Sequence, residues 1–365
     1  MIIIKDITDY LERIAPLNFQ ESYDNSGLIT GNSDTEVKGV LISLDCTEEV
    51  INDAIRKKCN VIISHHPIVF SGLKKINGKN YVERVVISAI KNEIAIYAIH
   101  TNLDNVGNGV NRKIGEMLNL TNLKILSPKK SGLQKLVTFC PIEHAEKVRN
   151  ALFNAGAGGI GNYEDCSFNI EGSGTFRGNE ATNPFVGSKG ERHTEKEIRI
   201  ELIFENYKKG SIIKALLENH PYEEVAFDIY NLENLYRDVG SGMIGELAEN
   251  QLEIPFLNFV KQTMKAGSLR HTELLGNKVK KVAICGGSGS FLLPDAIREG
   301  AHIFITADFK YHQFFDADKK IVIADIGHFE SEQFTMELLQ TLILEKFSTF
   351  AVQITEVNTN PIKYM

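Results

Sequence analysis

Short apolar runs alternate with amphipathic segments in the first and last thirds of the chain. Residues 40–44 and 61–64 are strongly apolar, and between them, over about residues 47–58, apolar positions recur at helical spacing. Such runs are typical of buried parallel strands joined by a helix. Thr47 stands where a helix N-cap is expected. The pattern predicts a strand, a helix and a second strand, the repeating unit of an α/β fold.

The same pattern returns near the end of the chain. Residues 279–308 match residues 37–66 without a gap, and Asp-Ala-Ile-Arg occurs in both helical segments. A further apolar strand at 321–326 matches the one at 94–99. Because the match includes the helix as well as the strands, it predicts two related α/β halves that form one scaffold.

The middle of the chain follows a different order of elements. Residues 131–235 read as strand, helix, strand, strand, helix and strand, which is the βαββαβ order of a ferredoxin-like domain. The glycine-rich and polar stretch 172–193 reads as a mobile hairpin loop within it. We therefore predict two halves of one domain, residues 1–130 and 236–365, interrupted by an insert at 131–235.

Composition narrows the class of protein. The chain has 365 residues, of which 43% are hydrophobic and 24% charged, as in a globular protein with more than one core. A net charge of -7 without a long basic run argues against nucleic acid as a partner. The apolar N-terminus ends at Lys5, too early for a signal peptide or a membrane span. The five cysteines are scattered, so we expect reduced thiols and a cytoplasmic location.

Candidate metal ligands follow the predicted strands. His65 and His66 come directly after the strand at 61–64, and Asp104, a better ligand candidate than His100, follows the strand at 94–99. In an open α/β sheet, ligands bind at the carboxyl ends of the strands. Adjacent strand residues point to opposite faces, so both histidines can converge only if the chain turns after the strand.

A second pair of candidates lies in the other half. His328 and Glu332 are four residues apart at the start of a predicted helix, on one face of it. With the first set, they give three imidazoles and two carboxylates, which suit Zn, Mn, Fe or a similar ion. Five ligands are more than one open catalytic ion takes, so we predict two divalent ions that activate water near neutral pH, with Glu332 as the bridge.

Each motif also has a simpler interpretation. A histidine pair after a strand is often a turn with hydrogen-bonded imidazoles, and a His-x-x-x-Glu pair on a helix is usually solvated. The shared placement at strand ends favours the metal site. The loop 286–290 is either a tight turn or a contact for an anion. His312, near the strand end that corresponds to His66, is a candidate proton shuttle or substrate contact.

The sequence resembles the Nif-three-like family, also called GTP cyclohydrolase 1 type 2 homologs. The resemblance extends over essentially the whole chain and is carried by Glu21-Ser-Tyr-Asp-Asn-Ser-Gly-Leu28, Ser64-His-His-Pro67, His100-Thr-Asn-Leu-Asp104, Thr306-Ala-Asp-Phe-Lys-Tyr-His312 and Gly327-His-Phe-Glu-Ser-Glu332. It implies a dinuclear metal site with the ligands His65, His66, Asp104, His328 and Glu332. It also implies a ring-shaped homohexamer with that site facing its cavity, and a PII/CutA-like insert.

Two functions follow as hypotheses. The first is a metal-dependent hydrolase acting on a small molecule such as a nucleotide, by cyclohydrolase or phosphoester chemistry, with Glu332 and His312 as candidate catalytic residues. The second is a regulatory hexamer that senses a metal or a metabolite without turnover. An excess of ligands over the four that close a structural zinc site favours the first hypothesis.

Overall fold

The computed structural model describes residues 1–130 and 132–365. The chain divides into two compact units, of which one combines Met1–Pro128 with Asp238–Met365 and the other is Lys129–Arg237. Ser131, at which the predicted insert begins, lies outside the described residues. Among the described helices, none is long and apolar enough to cross a membrane. All five cysteines are free thiols.

The elements follow one another along the chain in three segments. The first contains α1 (Ile4–Ile14), β1 (Gly27–Thr30), β2 (Gly39–Ser43), α2 (Glu48–Arg56), β3 (Val61–Ser64), α3 (Tyr81–Lys91), β4 (Ala95–Ala98), α4 (Thr101–Asp104), α5 (Val110–Met117) and β5 (Leu120–Lys129). The second contains β6 (Leu133–Pro141), α6 (Ala145–Asn154), β7 (Phe168–Arg177), β8 (Arg192–Glu205), α7 (Lys209–Asn219) and β9 (Phe227–Asn231). The third contains β10 (Tyr236–Leu252), α8 (Glu253–Thr263), β11 (Arg270–His271), β12 (Lys278–Ser288), α9 (Leu293–Arg298), β13 (Ile303–Ala307), β14 (Val322–Asp325), α10 (His328–Glu332), α11 (Thr335–Lys346) and β15 (Ala351–Ile354).

The first sheet has the strand order β1-β4-β3-β2-β15. Strands β15, β2, β3 and β4 run parallel, whereas β1 is antiparallel to β4. All residues of β2, β3 and β4 are buried, which explains why these strands read as unbroken apolar runs. Val50 and Ile51 of α2 pack with Val85 of α3 and Ile62 of β3 in one core. The carboxyl ends of β3 and β4 therefore lie side by side.

The second sheet repeats most of this arrangement. Its order is β11-β14-β13-β12-β10-β5, in which β12, β13 and β14 are parallel and β11 is antiparallel to β14. Four neighbouring strands thus have the same order and directions as β1, β4, β3 and β2. The sheets differ beyond them, because β10 is antiparallel to β12 whereas β15 is parallel to β2.

Helix α2 shows how local signals set an element. The Thr47 hydroxyl accepts a hydrogen bond from the Val50 N–H at 3.3 Å, as an N-cap does, and Glu48 is the first helical residue. The predicted end at residue 58 is too late. Lys58 has a φ of +58°, and a left-handed residue after the last turn ends a helix, here at Arg56.

The middle unit has its elements in the order β6, α6, β7, β8, α7, β9, which matches the order predicted from the sequence. Its antiparallel sheet has the order β7-β8-β6-β9, with the core between one sheet face and the two helices. The predicted loop at 172–193 is wrong at both ends. Residues 172–177 pair with residues 192–197, which leaves a connection at 178–191. The polar residues 172–177 belong to β7, an exposed strand at the edge of the sheet, and not to a loop.

Candidate metal centre

His65 and His66 are placed by the end of β3. The strand stops at Ser64, whose hydroxyl donates a hydrogen bond to the carbonyl oxygen of His66 at 2.9 Å. The backbone N–H of His66 donates to the carbonyl oxygen of Leu44 at 2.9 Å. The chain therefore leaves the strand geometry, and the two imidazole centroids lie 5.0 Å apart. The turn that convergence of the two side chains requires is present.

The other candidate ligands come from short helices after two further strands. Asp104 ends α4, which follows β4, and His328 and Glu332 are the first and last residues of α10, which follows β14. Gly327 enters α10 with a φ of +93°, a conformation that favours glycine. His328 Nε2 lies 3.1 Å from Glu332 Oε2, so the two side chains share one face of the helix as predicted.

The five predicted ligands come together in two groups that share Glu332. In the first, Glu332 Oε2 lies 2.9 Å from His66 Nε2 and 3.1 Å from His328 Nε2. In the second, Glu332 Oε1 lies 3.8 Å from His65 Nε2, which is 3.6 Å from Asp104 Oδ1. Within each group, the candidate ligand atoms all lie within 4.8 Å of one another. These buried clusters can bind metal ions.

The chemistry of the candidate ligand atoms fits bound cations. His65 Nε2 and Asp104 Oδ1 are buried and have no hydrogen-bond partner among the described residues. An unsatisfied buried polar atom is costly, and a cation between these two atoms would satisfy both. His66 Nε2 and His328 Nε2 are 3.3 Å apart. Two nitrogen ligands of one tetrahedral ion lie about 3.4 Å apart, close to that distance.

A fourth imidazole, that of His100, joins the cluster. The sequence favours Asp104 over His100 as a ligand. The His100 ring centroid lies 5.3 Å from that of His65 and 5.3 Å from that of His66, and the three side chains form a further group able to hold a cation. Asp24 accepts a hydrogen bond from His100 Nδ1 at 2.8 Å and one from the Thr101 N–H at 3.0 Å.

The sequence interpretation missed the groups that orient the imidazoles. Asp45 accepts a hydrogen bond from His66 Nδ1 at 2.8 Å, and Asp308 accepts one from His328 Nδ1 at 2.6 Å. His65 Nδ1 donates to the carbonyl oxygen of Ile99 at 2.9 Å. Such partners fix the ring and turn its other nitrogen towards the site. Asp45 and Asp308 both follow strand ends, so the signal that found the ligands could also have found them.

Charge in the cluster shifts the pKa values of its members. Burial lowers the pKa of His66, but hydrogen bonds to Asp45 and Glu332 outweigh it and raise that pKa to about 9. Burial also lowers the pKa of His328, but the charge of Glu332 and the hydrogen bond to Asp308 outweigh it and raise that pKa to about 11. Burial, followed by the charge of Glu332, raises the pKa of Asp104. Without an ion, the raised pKa values favour protonated imidazoles at His66 and His328, beside the Glu332 carboxylate.

Gly287 lets the Glu332 carboxylate lie against the strand end of β12. Its φ is +62°, and a Cβ added there would overlap Glu332 Oε1. The backbone N–H of Gly287 donates to Ser331 Oγ at 2.9 Å, and that of Gly286 donates to Asn111 Oδ1 at 2.9 Å. Because internal acceptors already occupy these two N–H groups, the loop fits the interpretation as a tight turn better than that as an anion contact.

The centre opens into a cavity of about 640 Å³. His66, Asp104, His328 and Glu332 line its floor. Exposed aromatic side chains stand around it, namely Tyr23, Phe70, Tyr81 and Phe291. This volume and this mixture of apolar and polar groups are typical of a small-molecule site.

The structure does not bring His312 to this cavity. The residue is exposed on a short 3-10 helix, Tyr311–Ala317, where its ring contacts those of Tyr311 and Phe315. It is not among the described residues that line the cavity. The match with His66 located the end of the strand correctly. It did not locate the His312 side chain, because residue 312 lies beyond the strand end, in the 3-10 helix. Asp308 is the residue of that segment that reaches the centre.

Comparison with known proteins identifies the family. The model of the Duf34/NIF3 (NGG1p interacting factor 3) family matches residues 2–361. GTP cyclohydrolase 1 type 2 homologs from Halalkalibacterium halodurans and Bacillus subtilis are 36% and 35% identical, each over at least 98% of both chains. A crystal structure of a Bacillus cereus protein related to NIF3 is 37% identical, covers 100% of this chain and 99% of its own, and superposes with a TM-score of 0.86. A Staphylococcus aureus protein is 30% identical over 100% of this chain and 99% of its own, with a TM-score of 0.79. The predicted resemblance is confirmed, and the chain belongs to the Duf34/NIF3 family.

Proposed function

We propose that the chain binds two divalent metal ions. One is held by His66, His328 and Glu332, and the other by His65, Asp104 and Glu332. The observation that carries this proposal is the position of the Glu332 carboxylate between the two groups. One of its oxygens faces His66 and His328, and the other faces His65. A bridging carboxylate has this arrangement in two-metal sites. Imidazole and carboxylate ligands suit Zn, Mn or Fe.

We propose that this centre serves a metal-dependent hydrolase. Bound divalent ions would supply Lewis acidity and activation of water. Glu332 would hold both ions, while Asp45 and Asp308 accept the hydrogen bonds that orient the imidazoles of His66 and His328. The cavity admits a small molecule to the exposed side of the cluster. Because His312 lies elsewhere in the described chain, we do not retain it as the proton shuttle.

The lining of the cavity favours one substrate chemistry. It contains no Lys or Arg among the described residues, so a phosphate group would depend on the bound ions and the imidazoles rather than on a Lys or Arg side chain. The aromatic side chains Tyr23, Phe70, Tyr81 and Phe291 instead offer flat apolar faces. These flat faces support hydrolysis of a heteroaromatic ring, as the name of the relatives suggests.

A regulatory protein is the second candidate. It is favoured by the middle unit, Lys129–Arg237, which has its own core and its own cavity.

We propose, from the family resemblance, that this unit is a PII/CutA-like insert and that the chain forms a ring-shaped homohexamer. A cytoplasmic location would keep the five thiols reduced, as they are here.

Metal content and turnover test both candidates. We would purify the protein without added metal, reconstitute it with Zn²⁺, Mn²⁺ or Fe²⁺, and measure about two ions per chain. Glu332→Ala should lose both ions and His65→Ala one of them, while His312→Ala should keep both, since His312 is remote from the cluster.

Turnover then separates the hydrolase from the regulatory protein. Hydrolysis of GTP or of a related heteroaromatic compound that is lost in Glu332→Ala and kept in His312→Ala would support the hydrolase. Two ions without turnover of GTP, related ring compounds or phosphoesters would favour the regulatory protein. A wild-type chain that retains no ion under any of these conditions would overturn the metal centre itself.

A further inference from the structure

The middle unit contains a second cavity, of about 630 Å³. It lies on the sheet face opposite α6 and α7. Ile198 and Ile200 of β8 belong to the core beneath the helices, so Glu197 and Arg199 between them point to the other face. The register sets Glu197 opposite Gly172 of β7, and both residues line the cavity.

Glu197 is a buried carboxylate that forms no ion pair with the described residues. It is 7% exposed, and its Oε1 accepts a hydrogen bond from the Tyr222 hydroxyl at 2.8 Å. Its Oε2 has no hydrogen-bond partner among the described residues. The neighbouring cation on its strand, Arg199, is paired with Glu201 at 2.8 Å. A buried anion is costly unless it is paired, so this carboxylate is unusual for a group with only a structural role.

Gly174 brings the carboxylate close to β7. A Cβ on Gly174 would overlap Glu197 Oε2, so the absence of a side chain lets the carboxylate lie over the strand backbone at the cavity wall. Glu197 Oε2 therefore lies beside Gly174, and both residues line the cavity.

Three aromatic rings stand around the same space. The centroids of Phe176 and Phe185 lie 6.0 Å and 6.3 Å from that of Tyr222, and all three residues line the cavity. His220 fixes Tyr222, because its Nδ1 accepts the Tyr222 backbone N–H at 3.1 Å and its Nε2 donates to the carbonyl oxygen of Phe139 at 2.9 Å. Burial lowers the pKa of His220, so the imidazole is neutral and does not supply the missing cation.

We propose that this cavity binds a protonated organic amine. The ammonium group donates a hydrogen bond to Glu197 Oε2, and its hydrocarbon part lies against Phe176, Phe185 and Tyr222. Aromatic faces attract cations, and a carboxylate with a free acceptor selects an ammonium that has N–H groups. The site uses no residue of the metal centre and does not depend on the function proposed for it.

Titration of the full-length protein with three probes of one shape tests the charge requirement. We would follow n-butylammonium, 1-butanol and butyrate by NMR and calorimetry. Saturable binding of n-butylammonium, with the alcohol and the carboxylate at least about tenfold weaker, is the expected result. Equal binding of the alcohol, or no saturable binding of n-butylammonium, would overturn the proposal. This comparison needs no variant, so a folding defect cannot obscure it.

Two variants then test the residues. Glu197→Gln should weaken n-butylammonium binding at least about tenfold, because the amide carries no charge. Glu195→Gln is the matched control, since Glu195 lies on the same face of the same strand but is paired with His193 at 2.8 Å and does not line the cavity. Affinity that is unchanged in Glu197→Gln, or reduced equally in Glu195→Gln, would contradict the assignment of Glu197.

Discussion

At the scale of single residues, the candidate metal centre depends on side chains that are not themselves candidate ligands. Asp308 accepts a hydrogen bond from His328 Nδ1 and leaves Nε2 to face Glu332. We expect Asp308→Asn to weaken metal binding about 10- to 100-fold, because the orientation and basicity of the imidazole are lost. Competition with a chromophoric chelator would measure the change. Asp9→Asn, in an exposed pair with Lys5, is the control; a similar loss in both variants would contradict this role for Asp308.

The absence of a side chain at Gly287 is a second feature of this scale. Gly287→Ala should destabilise the fold by about 1–3 kcal/mol and reduce metal content, since the new methyl group meets Glu332 as well as an unfavourable φ. Gly300→Ala separates the two causes, because Gly300 has a φ of +73° with nothing near its Cβ position. Chemical denaturation would measure both variants. Equal losses of stability, with metal content retained, would show that contact with Glu332 does not matter.

At the scale of elements, apolar runs predicted the buried strands well. The predicted strand at residues 61–64 is β3, and Thr47 caps α2 as expected, because burial on both faces and hydrogen bonding at a cap leave direct marks in the sequence. The missed features depend on tertiary context. The pairing of residues 172–177 with β8 and the exposure of His312 follow from backbone geometry that side-chain polarity does not encode.

The sequence predicts the candidate ligands better than the partners of their imidazoles. The five candidate ligands could be found because each follows a predicted strand. Asp24 could not, since it precedes β1 and reaches His100 only after the chain has folded back over 76 residues. Which of several strand-end carboxylates contacts an ion, and which contacts an imidazole, depends on distances of a few ångströms that spacing along the chain does not determine.

The cap of α2 gives a prediction for one element. Thr47→Ala removes the acceptor for the Val50 N–H and should lower the free energy of unfolding by about 1 kcal/mol. Thr47→Ser keeps a hydroxyl and should remain close to the wild type. Urea denaturation of the metal-free proteins would measure both. Equal stability of all three proteins would mean that water replaces the cap without cost.

At the scale of the whole molecule, proton and metal binding compete. The pKa of His66 is raised to about 9, so the imidazole of the metal-free fold is protonated at pH 7, and an ion must displace that proton. Metal affinity should therefore rise as pH increases from 7 towards 9, with release of protons on binding. Calorimetry in buffers of different ionisation enthalpy would count these protons. An affinity that is constant between pH 7 and 9 would contradict the proton competition.

The contact between Glu332 and His66 joins the two halves of the chain, and this affects the order of events during synthesis. Glu332 and His66 are 266 residues apart, and the whole middle unit is translated between them. Domains generally fold from the N-terminus as the ribosome adds residues, and contacts between distant segments form last. A nascent chain therefore exposes His65, His66 and Asp104 long before Glu332 exists. Loading of the bridged pair of ions that we propose would therefore be a late step of maturation, and until the C-terminal segment is made the chain would present a partial and less selective site.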